Sequence, residues 1–385
     1  MKSLAILGST GSIGTNTLEV VKAHPELFNI HALACYSKIN ELIKQIDLFK
    51  PEKVVVYDPA AYDDIKNILM RSETQVLYGE EGLLEVVSDP EVQLVVNALV
   101  GFSGLRPTLE AIKHHKDIAI ANKETIVVAG ELVLKQAKEN DVHVIPIDSE
   151  HNALLLLLRQ YQKEEIRKVI LTASGGPFRS MTQKELHKVT LAQALNHPTW
   201  KMGKKITIDS STLMNKGFEV IEAHHLFGLD YQDIEVIIHK ESIIHSMIET
   251  IDGEIYAQMG PADMKFPIQN ALTYPEIHGN SYPKMKLWEI GSLSFDQPDY
   301  DRFPLLKTAY RAGKEGGTLP AVLNASNEEA VYAFLDSKIG YMDIYSVIDR
   351  CLDAHQKVDS PGIKEIYQAD HWARDFSKDM ISSLS

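Results

Sequence analysis

The chain has 385 residues, of which 44% are hydrophobic and 24% charged, as is ordinary for a soluble globular protein of two or three domains. Acidic residues outnumber basic ones by 53 to 39, and the net charge of −14 argues against nucleic acid or an anionic membrane surface as a partner. Cys35 and Cys351 are the only cysteines, and they suggest neither a metal site nor a disulfide framework.

The beginning of the chain and its apolar runs predict a cytoplasmic protein. Met1 leads almost directly into the apolar run Leu4–Leu7, so we expect no signal or transit peptide. The longest aliphatic run, Ala153–Leu158, is too short to span a bilayer. A location in the reducing cytoplasm, away from membranes, is therefore the expectation.

Residues 1–147 alternate strand-like and helix-like segments, which predicts βαβ units and a parallel sheet. The predicted strands are Leu4–Leu7, Ile30–Cys35, Lys53–Tyr57, Leu94–Val100, Asp117–Ala121 and His143–Ile147. The predicted helices include Thr15–His24, Asn40–Phe49 and Leu132–Glu139. This alternation is typical of a doubly wound, Rossmann-like domain.

The pattern changes at residue 148, and residues 148–290 predict a catalytic and metal-binding α+β domain. Its predicted strands are Lys168–Thr172, Ile206–Ile208, Val236–His239, Ile243–Thr250 and Glu254–Met259, and its predicted helices are Ala153–Gln160 and Phe218–Phe227. Asp252-Gly253, between two β-type runs, indicates a hairpin turn. An uncovered edge of this sheet would be suited to a dimer interface.

The remaining segments complete an α/β fold class of three parts: an N-terminal doubly wound Rossmann-like domain, a central α+β catalytic domain and a C-terminal helical bundle. Glycine and proline at both ends of a polar stretch predict a hinged flap near residues 175–204. Residues 291–302 are predicted to be a linker, and residues 303–385 a helical domain.

A glycine-rich loop, Gly8-Ser9-Thr10-Gly11-Ser12-Ile13-Gly14, follows the first predicted strand and precedes a helix. Glycines permit a tight turn and close approach of a pyrophosphate, and the helix N-terminus favours anions. The strand before the loop and the helix after it make a dinucleotide site the favoured interpretation, with a nucleotide-free turn as the alternative.

The end of the second predicted strand favours NADP(H) over NAD(H). NAD-preferring proteins usually carry an acidic residue there for the ribose hydroxyls. This chain has Tyr36-Ser37-Lys38 instead, with no acid. Ser37 and Lys38 are suited to a 2′-phosphate, although Lys38 could also be a solvated surface residue.

Three carboxylates predict a site for a hard divalent cation. Asp148 follows an apolar strand and lies two residues before Glu150, so on an extended segment both would point to one side. Glu219 is predicted to be helical, with Asn215 and Lys216 on the same face. Oxygen ligands without a Cys/His cluster suit Mg²⁺ or Mn²⁺ rather than zinc, although on spacing alone a solvated acidic pair is the more common outcome.

Other polar residues also follow apolar strands, and of these Asn122-Lys123-Glu124 is predicted to lie at the same edge of the sheet as Asp148. Lys123, in Asn122-Lys123-Glu124, could polarise a substrate oxygen, and Ser174, in Ser174-Gly175-Gly176, could bind a phosphate. Taken alone, each of these residues is more often a structural or exposed side chain. The predicted flap contributes His197, Trp200 and Met202, which could close over a small ligand and exclude water.

These segments together resemble the 1-deoxy-D-xylulose 5-phosphate reductoisomerases from residue 1 to near the C-terminus. The motifs that carry the resemblance are the Gly8–Gly14 loop, Ala121-Asn122-Lys123-Glu124, Pro146-Ile147-Asp148-Ser149-Glu150-His151-Asn152, Ser174-Gly175-Gly176-Pro177-Phe178-Arg179, His197-Pro198-Thr199-Trp200-Lys201-Met202-Gly203, Asp209-Ser210 and Met214-Asn215-Lys216-Gly217. Members of this family use NADPH and a divalent cation to rearrange and reduce a phosphorylated ketose, giving 2-C-methyl-D-erythritol 4-phosphate for isoprenoid synthesis.

The resemblance implies a role for each site residue. The implied ligands of Mg²⁺ or Mn²⁺, with Co²⁺ as a further option, are Asp148, Glu150 and Glu219. The implied catalytic residues are these three and Lys123. The implied substrate contacts are Lys123, Ser149, Glu150, Ser174, His197, Trp200, Met202, Ser210, Asn215, Lys216, Glu219 and His245. The residues implied or predicted to bind NADPH are Gly8, Thr10, Gly11, Ser12, Ile13, Ser37, Lys38, Asn122, Glu124 and Gly203. A homodimer is also implied.

Two other functions remain open at this point. A simple NADP-dependent aldehyde dehydrogenase often needs a thiol nucleophile, which neither Cys35 nor Cys351 suits by its place in the chain. A non-catalytic NADPH-sensing regulator could retain the fold but would not need the carboxylates. The group that moves protons in the implied reaction also stays open among Lys123, a metal-bound water and the substrate hydroxyls.

Overall fold

The computed structural model describes residues 1–200 and 202–384. The chain forms two compact units. The first comprises Met1–Thr125, Val133–Asn152 and Asp263–Tyr282, and the second comprises Ile126–Leu132, Ala153–Ala262 and the chain from Pro283 onward. The three-domain division with boundaries at 147, 290 and 302 stays a prediction. Lys201, in the predicted flap, lies outside the described residues.

Strands and helices alternate through the N-terminal part of the chain, as predicted. The bounds are β1 Lys2–Leu7, α1 Ser12–Ala23, β2 Phe28–Cys35, α2 Ile39–Phe49, β3 Lys53–Val56, α3 Pro59–Ile68, β4 Gln75–Tyr78, α4 Gly79–Ser88, β5 Leu94–Asn97, α5 Leu105–Lys113, β6 Asp117–Ile120, α6 Lys123–Glu139, β7 Val144–Pro146 and α7 Ser149–Leu158. All six predicted strands are present, with ends shifted by a few residues.

The sheet of the first unit is parallel and has the order β4-β3-β2-β1-β5-β6-β7. This order confirms the doubly wound, Rossmann-like architecture, because the chain moves outward from β1 in one direction and later in the other. Central strands such as Leu4–Leu7 and Val54–Val56 are fully buried, which explains their continuous apolar sequences. The edge strand β4 is absent from the sequence prediction, since its four residues are exposed or half-buried and give little apolar signal.

Gly8 turns the chain from β1 into the loop before α1. Its φ is +87°, and a Cβ atom there would lie 2.4 Å from the carbonyl oxygen of Ala98, just after β5. The N–H groups of Gly8 and Ser9 both donate to the carbonyl of Ala34, at 3.0 and 2.8 Å. The loop is therefore held tightly at the carboxyl ends of β1, β2 and β5, where open α/β sheets bind their ligands.

Replacing Gly8 with alanine is expected to destabilise the protein more than the same change at Gly253. Gly253 has φ +90°, and no atom lies within 4 Å of an added Cβ. Its replacement by alanine therefore measures only the free-energy cost of a positive φ, which is about 1–2 kcal/mol. Alanine at position 8 has the same backbone cost and, in addition, a steric clash between its Cβ and the carbonyl oxygen of Ala98. Urea unfolding of both variants gives the two free energies, and equal losses would contradict the close approach at Gly8.

The second unit contains a four-stranded sheet and most of the remaining helices. The bounds from residue 159 onward are β8 Ile166–Ala173, α8 Gln183–Leu186, α9 Leu191–Ala194, α10 Lys204–Ser211, α11 Met214–Phe227, β9 Ile234–Ile238, β10 Ile244–Thr250, β11 Ile255–Met259, α12 Lys265–Thr273, α13 Leu287–Ile290, α14 Leu305–Glu315, α15 Leu319–Leu335, α16 Asp343–Ala354 and α17 Ile363–Leu384. The sheet order is β11-β10-β8-β9, and β10 and β11 form the predicted antiparallel hairpin.

One predicted strand of this unit, Ile206–Ile208, is wrong. These residues lie in helix α10, which begins after Gly203 and buries Thr207, Ile208 and Asp209. The β-branched run Ile-Thr-Ile has a local preference for a strand, but burial of one helical face overrides a preference of that size.

Helix α12 belongs to the first unit, although the sequence prediction places it in the central domain. The Gln269 side chain lies 3.2 Å from His24 at the end of α1, and the Lys2 ammonium donates to the carbonyl of Leu272 at 3.0 Å. Asn270 donates to the Asn152 side chain at 3.2 Å. These contacts are distant in sequence, so the local pattern does not reveal them.

The C-terminal region is helical, as predicted. Helix α14 follows Pro304, and α15 has Pro320 in its first turn, which is a favourable position for proline. Gly316, with φ +65°, ends α14. Among the described residues, no helix is both long enough and apolar enough to cross a membrane.

Candidate active site

Asp148 and Lys123 form an ion pair at the carboxyl edge of the first sheet. Lys123 opens α6 directly after β6, and Asp148 follows the neighbouring parallel strand β7. The Lys123 Nζ lies 2.6 Å from Asp148 Oδ2. Burial opposes ionisation of Asp148, but the Lys123 ammonium and the nearby His151 outweigh it and hold its pKa well below the usual range. Asp148 is therefore an anion at neutral pH.

The predicted extended geometry of Asp148-Ser149-Glu150 is wrong. Helix α7 begins at Ser149, and the Asp148 carbonyl accepts a hydrogen bond from Asn152 N–H at 2.8 Å. Asp148 precedes the helix and Glu150 lies in it, and the two carboxylates still place an oxygen each within 4.8 Å of the other, so the predicted closeness of the pair is confirmed. Glu150 lies in the first helical turn, where an acid is favoured by the helix dipole, and accepts from Ser149 Oγ at 2.5 Å.

The glycine loop has the features of an anion site. Helix α1 begins at Ser12 with Gly11 as its N-cap and no side-chain cap. Within residues 1–200 and 202–384, the N–H groups of Ser12 and Ile13 have no hydrogen-bond acceptor. Ser9 exchanges two buried hydrogen bonds with Gln45 of α2, at 2.8 and 2.9 Å, which fixes the loop. Unsatisfied N–H groups at a helix N-terminus favour a phosphate.

Some of the other residues predicted to bind the cofactor form hydrogen bonds within the protein, and others are exposed to solvent. The buried Asn122 caps α6 and donates to the carbonyls of Leu99 and Gly101 at 3.0 and 2.9 Å. Its amide also donates to Glu124 at 3.2 Å. Ser37 and Lys38 follow β2 and are exposed. Exposure leaves them able to meet a 2′-phosphate, and that role stays a prediction.

A polar cluster in the second unit forms around the turn after β8. Ser174 Oγ lies 3.1 Å from His197 Nε2, and His197 Nδ1 accepts from the Trp200 N–H at 2.9 Å. Gly176 has φ +64°, and a Cβ there would lie 2.9 Å from the Ser210 carbonyl oxygen. This close approach brings the Ser174 turn against the last turn of α10, which carries Ser210.

His197 is held in its neutral form. Burial, together with the positive charge of Arg179, lowers the pKa of its imidazole below the ordinary value. The Arg179 guanidinium also donates to the carbonyl of Gly176 at 3.2 Å. Arg179 stands in one of the family motifs but had no predicted role, because its contact with the turn is visible only in three dimensions.

Asn215, Lys216 and Glu219 lie together at the start of α11, as their spacing predicts. Asn215 donates to Glu219 Oε1 at 2.5 Å, and Lys216 forms an ion pair with Glu219 Oε2. Lys216 is 3% exposed and Glu219 is 1% exposed. A lysine and an asparagine in the first turn of a helix are suited to bind a phosphate.

For the remaining predicted site residues of this unit, the structure gives a position in the fold and the burial, but no side-chain contact that supports a role. His245 is buried on β10, where its carbonyl accepts from Thr172 Oγ1 at 2.9 Å. Gly203 is the N-cap of α10. Trp200 and Met202 are half-buried. Their proposed contacts with substrate or cofactor stay predictions.

Family models match most of the chain. A model described as 1-deoxy-D-xylulose 5-phosphate reductoisomerase matches residues 4–130, its C-terminal domain model matches 144–227, and a DXP reductoisomerase C-terminal domain model matches 259–376. The chain is 51% identical over 382 residues to the reductoisomerase of Chlorobium phaeobacteroides strain BS1, covering 99% of this chain and 100% of that protein. It is 49% identical over 385 residues to reductoisomerase 1 of Bacillus thuringiensis subsp. konkukian strain 97-27, covering 100% of both.

Solved structures agree with these relatives. A crystal structure of DOX-P reductoisomerase with NADPH, fosmidomycin and magnesium has a TM-score of 0.95 at 40% identity, covering 100% of this chain and 99% of that chain. The Zymomonas mobilis reductoisomerase in complex with NADPH has a TM-score of 0.92 at 36% identity, covering 100% of both chains.

The fold and the glycine loop define the class, which is that of α/β proteins with a doubly wound Rossmann-like domain. The comparisons narrow the class to one family. The chain belongs to the 1-deoxy-D-xylulose 5-phosphate reductoisomerase family.

Proposed function

We propose that this protein uses NADPH and a divalent cation to convert 1-deoxy-D-xylulose 5-phosphate to 2-C-methyl-D-erythritol 4-phosphate in non-mevalonate isoprenoid synthesis. The observation that carries the proposal is the full-length match to reductoisomerases, at about 50% identity and with 99–100% of each chain covered. A similar structure in complex with NADPH and magnesium supports the two cofactors.

Asp148, Glu150 and Glu219 are the proposed ligands of the cation. Their donors are carboxylate oxygens, which hard cations such as Mg²⁺ and Mn²⁺ prefer. The depressed pKa of Asp148 supports the assignment because a ligand must be ionised. Lys123 and Lys216 balance part of the negative charge through their ion pairs with Asp148 and Glu219. Mg²⁺ is the metal named in the similar structure, while Mn²⁺ and Co²⁺ are further proposals.

Ser174, His197, Ser210, Asn215 and Lys216 are proposed to bind the substrate phosphate. They supply hydroxyl, imidazole, amide and ammonium groups in the second unit. Binding at this remote group fixes the orientation of the reacting carbons.

The remaining roles follow from position and chemistry. Lys123 and Ser149, beside Asp148 and Glu150, are proposed to contact the hydroxyketone end of the substrate. His245, Trp200 and Met202 are proposed to line and close the pocket, and the closure would exclude water. When bound, the cation would stabilise negative charge on substrate oxygens and NADPH would supply the hydride.

One assay tests the function against its rivals. NADPH consumption is followed with 1-deoxy-D-xylulose 5-phosphate, in the presence of Mg²⁺ and again after addition of a chelator. The proposal requires consumption that stops with the chelator and returns with added Mg²⁺. Metal-independent oxidation with simple aldehydes would indicate an aldehyde dehydrogenase, and binding of NADPH without turnover would indicate a regulator.

The state of the two cysteines disfavours the aldehyde dehydrogenase. Both thiols are buried, and burial raises the pKa of Cys35 and of Cys351 to about 11. A thiol with such a pKa holds little thiolate at neutral pH, so neither cysteine is suited to act as a nucleophile.

A cytoplasmic homodimer is part of the proposal. Strand β11 is an edge of the second sheet, and its Ile255 and Tyr256 side chains are exposed. An exposed apolar edge strand is suited to pair with another chain. Sedimentation equilibrium measures the mass in solution, and a monomer at micromolar concentration would contradict this part.

A further inference from the structure

We infer that Asn327 and Tyr341, from the C-terminal helical segment, are positioning residues for the substrate phosphate site. The inference rests on the proposed assignment of Ser174, Ser210, Asn215 and Lys216 to that site. Neither Asn327 nor Tyr341 would touch the substrate. Each holds a segment of backbone that carries a phosphate-binding residue.

Asn327 fixes helix α10 through a buried carboxylate. Its Nδ2 donates to Asp209 Oδ1 at 2.9 Å, and the other oxygen of Asp209 lies 2.9 Å from Lys205 Nζ. Asn327 is 0% exposed and Asp209 is 2% exposed. Asp209 immediately precedes Ser210, so the hydrogen bond from α15 determines where the last turn of α10 lies.

Lys205 extends this connection to the second phosphate-binding helix. Its ammonium lies 5.1 Å from the centre of the Phe218 ring, on α11. Phe218 is fully buried and is adjacent in sequence to Glu219. A cation over an aromatic ring is attracted to the ring face, so α10 and α11 are linked through the side chain that also pairs with Asp209.

Tyr341 contacts both segments of the phosphate site. Its hydroxyl donates to the carbonyl of Ser211 at 2.7 Å, which satisfies a C-terminal carbonyl of α10. Its ring packs edge-on against Phe178, with the ring centres 5.1 Å apart. Phe178 lies in the same motif as Ser174, so one side chain fixes the spacing between the Ser174 turn and the end of α10.

The backbone between α10 and α11 is strained, which explains why contacts from Asn327 and Tyr341 are needed to hold it. Leu213, which joins the two helices, has φ +61°, a conformation that is costly for a residue with a branched side chain. A strained turn persists only where the surrounding contacts impose it. Misplacing a binding group by about 1 Å can lower catalytic efficiency by roughly 10²-fold.

The chain offers a matched control for Asn327. Asn324 lies on the same helix, is also 0% exposed, and donates to a carboxylate of its own helix, Glu328, at 3.1 Å. Asn327→Ala and Asn324→Ala therefore remove the same buried amide, but only the first removes a bond to α10.

The test compares the Michaelis constants of the variants. Asn327→Ala is expected to raise the KM for 1-deoxy-D-xylulose 5-phosphate by about 10-fold, since a loss of 1.4 kcal/mol corresponds to a factor of 10. Its KM for NADPH should not change, and Asn324→Ala should leave both values near wild type despite a similar fall in melting temperature. Equal effects of the two variants on the substrate KM would overturn the inference for Asn327.

Tyr341→Phe tests the inference independently if Asn327→Ala does not fold. It removes only the hydroxyl that donates to Ser211 and keeps the ring packed against Phe178. A raised substrate KM with an unchanged NADPH KM is expected, and an unchanged substrate KM would overturn the role of Tyr341. Ser210→Ala separates this inference from the site assignment. If Ser210→Ala raises the substrate KM while Asn327→Ala and Tyr341→Phe do not, the phosphate site is correct and only the inference about Asn327 and Tyr341 is wrong. If Ser210→Ala also has no effect on the substrate KM, the assignment of the phosphate site is wrong.

Discussion

Glu219→Gln is expected to lower turnover by at least about 10²-fold at saturating Mg²⁺ and substrate, by analogy with the loss of one group that stabilises transition-state charge. The substitution keeps the size of the side chain and removes the negative charge proposed to hold the cation. Glu219 is 1% exposed and accepts from Asn215 and Lys216, so water has little access to replace the lost charge. Steady-state kcat measured over a range of Mg²⁺ concentrations tests the expectation.

Glu249→Gln is the matched control for this prediction. Glu249 lies on β10 in the same unit, is 7% exposed, pairs with Lys168 and has no assigned role in binding the cation. We expect its substitution to leave turnover close to that of the wild type. Near-normal turnover of Glu219→Gln would remove Glu219 from the proposed ligands. An equal loss in both variants would show that any buried acid of this unit is needed for structure.

Lys216→Ala is expected to raise the KM for 1-deoxy-D-xylulose 5-phosphate by about 10²-fold, because truncating one partner of a buried charge pair costs roughly 2–5 kcal/mol. Lys216 lies in the first turn of α11 and is 3% exposed. The variant loses a cation for the substrate phosphate and also leaves Glu219 without its ammonium. Initial rates with varied substrate at fixed, saturating NADPH and Mg²⁺ measure the change.

Lys204→Ala controls for the loss of one positive charge in the same unit. Lys204 is exposed at the start of α10. Its substitution alters the net charge equally, so a substrate KM near that of the wild type is expected. The assignment of Lys216 to the phosphate would be contradicted by an unchanged KM in Lys216→Ala, or by the same increase in Lys204→Ala.

The first sheet could be predicted because its strands carry a strong local signal. Segments such as Leu4–Leu7 are buried on both faces and are therefore continuously apolar. A doubly wound sheet then places the loop after its first strand at the carboxyl edge, as observed for Gly8, whereas the strand order itself was seen only in the structure. The edge strand β4 gave no such signal because its side chains are not fully buried.

Part of the site could not be predicted from local patterns. The run Ile206–Ile208 favours a strand locally but forms a helix, since the chain around it buries that face. Asp148 and Glu150 lie at a strand-to-helix junction rather than on an extended segment, so their spacing does not predict where they point. The spacing of Asn215, Lys216 and Glu219 did predict a shared face, because all three lie on one helix.

The order of apolar, glycine and acidic residues along this chain was enough to predict its α/β architecture, a glycine loop suited to a dinucleotide, and its family, because each of these is carried by motifs of neighbouring residues. Folding decided which groups support the turn and the helices that carry the residues proposed to bind the phosphate. Asn327 and Asp209 are 118 positions apart, and Tyr341 and Ser211 are 130 apart. Contacts at such separations depend on how the helices pack, and no local pattern of residues encodes them.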